Sequence, residues 1–148
     1  MTNAKILQLT NSAIGAVAAD TNLPLGVITA IYPFDTNNCC PTYTITSSTS
    51  DTLSINKSGT YRIIYSLSGI AGAAGDVVVT MKVNGVAKYA VTATATADGT
   101  VNLTLPYELY VPCNCAAAPI NVPAAIQFEN IGVALTGGTS NLLVSKEF

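Results

Sequence analysis

The sequence predicts an all-β chain folded as an antiparallel β-sandwich, a jelly roll of about ten strands. Three observations carry that expectation. Apolar residues recur at every second position through most of the chain, the period of a strand with one buried face. Asn-Gly and Asp-Gly pairs, suited to the positive φ of tight turns, punctuate the runs. A helical period is almost absent, and many strands joined by short turns close into a two-sheet sandwich. At 148 residues the chain has the length of one domain and can bury about 68–70% of its unfolded surface.

The elements follow in order. Ala4–Leu9, Val27–Tyr32 and Tyr43–Thr46 read as early strands. "SAIGAVAAD" offers Ser12 as a helix cap, but Gly15 and its short length favour a turn leading into another strand. "YRIIYSL" puts Tyr61, Ile63, Tyr65 and Leu67 on one face. "DVVVTMKV" does the same with Val77, Val79, Met81 and Val83, and Asn84-Gly85 then turns the chain into "VAKYAVTATAT". The alternating "TATATA" fits a strand with small residues at a crowded contact. After Asp98-Gly99, "TVNLTLPYELYV" alternates Val101, Leu103, Leu105, Tyr107, Leu109 and Val111 against polar partners. "AAIQFENIGVAL", the turn "TGGTS" and "NLLVSKEF" read as a closing hairpin. No solenoid repeat or Gly/Ser linker appears. Residues 1–25 read as an N-terminal strand or anchor segment and 26–148 as the jelly-roll domain.

Composition narrows the function. Apolar residues make up 49% of the chain and charged residues only 9%, against a usual charged share of roughly 25%. Thr, Ser and Asn must cover the surface, and they do not repel a neighbouring copy. The net charge is −2. Lys5, Lys57, Arg62, Lys82, Lys88 and Lys146 are scattered along the sequence and form no basic stripe, so nucleic acid is not an expected partner. A mean hydropathy of +0.44 points to apolar surface hidden between subunits. "MTNAKILQLTNSAIG" lacks the apolar core of a signal peptide. No run of 18 or more apolar residues escapes turn residues, so membrane insertion is not expected. The expected place of assembly is a cytoplasm.

Chemistry finds little to use. The chain has no histidine, which removes the usual Ser and Cys triads, and no serine is distinguished as partner of a lysine. Most of the eight acids, Asp20, Asp35, Asp51, Asp76, Asp98, Glu108, Glu129 and Glu147, sit where turns need them rather than as a pair across a cleft. Gly137-Gly138 has no helix or lysine after it to cradle a phosphate. The expectation is a non-enzyme with no catalytic and no cofactor-binding residues. The four cysteines, Cys39, Cys40, Cys113 and Cys115, form the one remaining constellation. Two cross-loop disulfides, free structural thiols and a four-thiolate zinc site are all open. The spacing, one pair adjacent and one Cys-x-Cys, is unusual for zinc. Tyr32, Phe34 and Tyr43 are the best aromatic candidates for stacking on a sugar.

"INKSGTYRIIYSLSG" (Ile55–Gly69) resembles the strand after a Gly turn in TNF-like and complement globular-head jelly rolls. "GDVVVTMKVNGVAKY" resembles their middle hairpin, and "VPAAIQFENIGVALTGGTSNLLVSKEF" (Val122–Phe148) their last one. The resemblance covers Gly26 to Phe148. "ATATADGTVNLTLPY" together with "ALTGGTSNLLV" is similar to small stand-alone head-decoration or head-fibre proteins of tailed bacteriophages. That resemblance implies trimers around a three-fold axis, with one sheet of each jelly roll facing the axis. It also implies a partner in the phage capsid or another virion protein, and a place in the virion. The chain lacks the collagen-like stalk and secretion signal of complement-type relatives. The expected function is therefore a non-enzymatic, trimeric decoration or head-fibre component. The alternatives are a receptor- or glycan-binding head of a phage fibre, with a host-surface glycan as partner, and a bacterial or spore surface protein.

Overall fold

The computed structural model describes residues 5–33, 42–45, 50–112 and 124–147. The strands, in chain order, are β1 (Ile6–Asn11), β2 (Thr21–Asn22), β3 (Val27–Tyr32), β4 (Tyr43–Ile45), β5 (Leu53–Ile55), β6 (Gly59–Ala71), β7 (Gly75–Val83), β8 (Val86–Ala95), β9 (Thr100–Val111), β10 (Ala124–Asn130) and β11 (Leu135–Lys146). They form two antiparallel sheets. The first has five strands in the order β3-β1-β11-β6-β9; the second runs β4-β5-β10-β7-β8, with β2 paired to β10. This is a jelly roll, as the alternation predicts.

The core lies where the inner faces meet. Leu7 and Leu9 of β1, Ile63 and Tyr65 of β6, and Leu142 and Val144 of β11 point in from the first sheet. Val77, Val79 and Met81 of β7 and Ile126 and Phe128 of β10 answer from the second. Tyr65 stacks on Phe128 with ring centroids 4.2 Å apart and planes 12° from parallel. That contact fastens one sheet to the other through two large apolar rings. The strand-period positions read from the sequence are the buried ones because a pleated strand exposes alternate side chains to opposite faces.

Turns sit where the sequence marks them. Asn84 and Gly85 take φ of 51° and 82° and join β7 to β8, the type I′ geometry. Asp98 takes φ of 59° in the turn that carries the chain from β8 in one sheet to β9 in the other. Ser12–Asp20 is a turn segment, tied by the Val17–Leu135 bridge and leading into β2.

Two expectations change. β10 and β11 do not form a hairpin, because they belong to different sheets. The chain crosses between them at 131–134. Asn130 closes the crossing, its Nδ2 donating to the Val133 carbonyl at 2.9 Å and its Oδ1 accepting from the Gly132 N–H at 3.3 Å. Gly137 and Gly138 lie inside β11 after a register shift. Gly138, at φ +151°, has the Ser68 carbonyl where a Cβ would stand, so glycine there answers a close backbone approach rather than a turn. Second, the Thr-Ala tract is crowded on one face only, where Ala93 and Ala95 pack against the core. It belongs to β8, the edge of the second sheet, where its residues are exposed or half-buried.

Candidate functional site: the outer face of the first sheet

The first sheet turns one face to the core and the other outward, and the register of its strands sorts the outward side chains into rows. At one margin the row reads Tyr32, Ile6, Ser145, Arg62, Glu108. Next come Ala30, Gln8, Leu143, Ile64 and Pro106. Then follow Val27, Thr10, Asn141, Ser66 and Thr104, and beyond them Thr139, Ser68 and Asn102. The last row holds Gly137, Ile70 and Thr100. Arg62 and Glu108 are the charges of these rows, and both stand in the first. Arg62 Nε lies 3.0 Å from the Glu147 carboxylate. The remaining four rows carry no charge among the described residues. Pro106 costs no ladder bond on its outer side because β9 is an edge strand.

The middle of the face is lined by hydroxyls and amides. A shallow depression of about 600 Å³ runs over Gln8, Thr10, Ser66, Asn102, Thr104 and Asn141. Gln8 Nε2 donates to Asn141 Oδ1 at 3.2 Å, and the Thr10 and Thr29 hydroxyls lie 3.1 Å apart. Side chains bonded along the face offer neutral donors and acceptors to whatever covers it. Nothing in this arrangement activates a nucleophile or a water.

The residues singled out from the sequence fall apart in space. Cys39, Cys40, Cys113, Cys115 and Phe34 lie outside the described residues. Tyr32 is exposed at the end of β3, whereas Tyr43 is buried and donates its hydroxyl to the Lys5 carbonyl at 3.0 Å. Asp76 accepts from the Thr94 hydroxyl at 2.8 Å, and Glu129 pairs with Lys82 at 3.1 Å. No group of three or more metal-ligating side chains occurs among the described residues. Burial pushes the Tyr61 phenol up to about 12 and those of Tyr43 and Tyr65 higher still, with the neighbouring Tyr61 adding to the effect at Tyr43. The charge-free face itself went unread in the sequence. Its signal is there, in the polar alternates of "TVNLT" in β9 and of "SLS" in β6, but their adjacency needs the strand order.

These sheets and this connectivity define a TNF-like jelly roll. No family model and no curated protein sequence matches the chain. Solved structures do. The globular domain of zebrafish complement 1qA protein aligns over 97% of this chain and 98% of its own, with a TM-score of 0.65 and 7% identity. Eiger TNF from S. frugiperda aligns over 99% and 94%, with a TM-score of 0.69 and 8% identity. The PRD1 vertex protein P5 aligns over 100% of both chains, with a TM-score of 0.61 and 18% identity. At these identities the likeness establishes the fold.

Proposed function

We propose that this chain is a non-enzymatic structural protein of a bacteriophage virion, a homotrimeric decoration or head-fibre component that packs through the outer face of its first sheet. The observation that carries the reading is the absence of charge from four successive rows of that face. In a trimer the side chains that stand on the three-fold axis meet their own copies, so a charged residue there would face like charges and oppose assembly. Ser, Thr, Asn and Gln meet their copies without that cost and can hydrogen-bond across the axis, directly or through water. Leu143, Ile64 and Pro106 add an apolar band at one margin. The likeness to the PRD1 vertex protein P5, a phage protein matched along its whole length, supports the virion setting.

Light scattering at micromolar concentration tests the assembly. The expected mass is three times the 15.2 kDa of one chain, and a clean monomer overturns the trimer. Mass spectrometry of purified phage particles tests the setting: the chain is expected in the particle at fixed stoichiometry, and its absence overturns the virion role.

A further inference from the structure

The cations of this chain are scattered in sequence but gathered in space. Lys5, Lys57, Arg62 and Lys146 gather at the end of the sandwich where β1 and β6 begin and β11 finishes. Lys82 and Lys88 flank the β7–β8 turn, which lies toward the same end because Asn84 N–H donates to the Ala125 carbonyl at the start of β10. The opposite tip has no cation. It carries Asp20 and Asp98 on turns and Asp76 at the start of β7, stitched by backbone bonds from Asp20 N to Asn130 O, Val133 N to Asp76 O and Asp98 N to Ala71 O.

The cationic end is also rigid and partly aromatic. Two buried tyrosines, packed edge to face with centroids 6.1 Å apart, each hold the backbone of one lysine. Tyr43 Oη donates to the Lys5 carbonyl at 3.0 Å and Tyr61 Oη to the Lys57 carbonyl at 2.8 Å. The Lys146 N–H donates to the same Lys5 carbonyl at 2.7 Å. Tyr32, 70% exposed, and Tyr110, 68% exposed, stand at the two edges of the first sheet. Exposed Tyr rings beside Arg and Lys on a fixed backbone match the residue preferences of protein interfaces, and the fixed backbone lowers the ordering cost of binding.

We propose that this end docks on an acidic protein surface. Charge complementarity selects the partner: among the described residues Glu108 and Glu147 offset only part of the four cations, so a positive excess faces outward with the aromatic rings. Four cations with two neighbouring acids are too few for the several phosphate contacts of nucleic-acid binding. The exposed apolar groups are separate side chains rather than the continuous apolar face a membrane surface takes. That the acidic surface belongs to a virion protein rests on the function proposed above; the chemistry of the end does not.

The test uses fluorescently labelled poly-L-glutamate as the probe, with binding followed by anisotropy in the full chain. The wild-type protein is expected to bind saturably, and more weakly as salt rises from about 50 to about 200 mM. The combined Lys5→Glu, Lys57→Glu, Lys146→Glu variant is expected to lose about tenfold or more in affinity, and the corresponding Gln variant, which adds no negative charge, several-fold. Asp76→Asn with Asp98→Asn, at the other tip, should leave binding unchanged. Absence of saturable binding, or equal binding by the Glu and Gln variants and wild type, overturns the proposal. Binding to phosphatidylserine vesicles without binding to poly-L-glutamate also overturns it, in favour of a membrane partner. Light scattering of the same samples keeps the two readings apart. Loss of probe binding at an unchanged mass supports the docking end, while a monomeric wild type that still binds removes the trimer and leaves the docking end standing.

Discussion

Tyr61 shows how one buried side chain fixes both packing and a pH limit. Its ring is inside the sandwich, yet its hydroxyl reaches the Lys57 carbonyl at 2.8 Å, so the only polar atom of the side chain is satisfied at the margin of the core. Burial holds the phenol neutral, with its pKa raised to about 12, and the same cause raises Tyr43 and Tyr65. In the unfolded chain a phenol ionises near pH 10, roughly its ordinary value. The folded state therefore keeps protons that the unfolded state has lost, and stability falls as pH climbs from about 10 toward 12. Below pH about 10 the contribution is complete. Alkaline titration followed by tyrosinate absorbance and far-ultraviolet circular dichroism checks this. Three of the seven tyrosines are expected to ionise together with the loss of β-structure; ionisation of all seven in an intact fold would contradict the assignment.

At the level of elements, β1 shows what the first residues do. It lies between β3 and β11, and buries Leu7 and Leu9 completely. Removing residues 1–22 takes away this strand and β2, removes Leu7 and Leu9 from the core, and leaves one edge of β11 and of β3 unpaired. The truncated chain is expected to be insoluble or unfolded by circular dichroism; a folded, trimeric product would instead make the segment an external anchor. The crossings β3 to β4 and β9 to β10 bear on the cysteines. β3 and β9 end at the same end of the first sheet, and β4 and β10 begin on either side of β5, since Tyr43 and Ala124 both pair with Ile55. That sets the two entry points about 10 Å apart, two strand spacings. We propose that Cys39 and Cys40 pair with Cys113 and Cys115 in two disulfides. Protein from released particles should then weigh four hydrogens less than the reduced chain, and reduction should lower stability by about 2–4 kcal/mol. Freely labelling thiols, or one zinc per chain, would exclude the disulfides. The same elements mark how far sequence reading reaches. Alternation located β6, β7 and β9 because burial in a strand is a local, period-two property. The sheet to which a strand belongs is not local. The "IGVAL" crossing therefore looked like part of a hairpin, and the glycines of β11 looked like its turn. The candidate face was hidden for the same reason: β1 and β11 are far apart in sequence, and their Thr10 and Asn141 become neighbours only through the register.

For the whole molecule, the proposed axis can be probed by a single charge. Ser66→Glu puts like charges together in every trimer, a juxtaposition that costs several kcal/mol. Light scattering should show a monomer at micromolar concentration with unchanged circular dichroism. Thr92→Glu, on exposed β8 of the other sheet, should leave the mass as it was. An unchanged mass for Ser66→Glu would remove the first sheet from the interface. The pairing of β1 with β11 also governs how the molecule bears load. The two strands run antiparallel from Ile6 opposite Ser145 to Asn11 opposite Ser140, so tension between Lys5 and Lys146 peels their ladder one bond pair at a time. Tension between Lys146 and Asp98 runs along the strands and strains many bonds together in shear. Optical-tweezer rupture should need less force in the first geometry than in the second, and equal forces would contradict the account. A particle protein held by the end bearing both strands would thus yield when pulled apart at its base, yet resist drag on its tip.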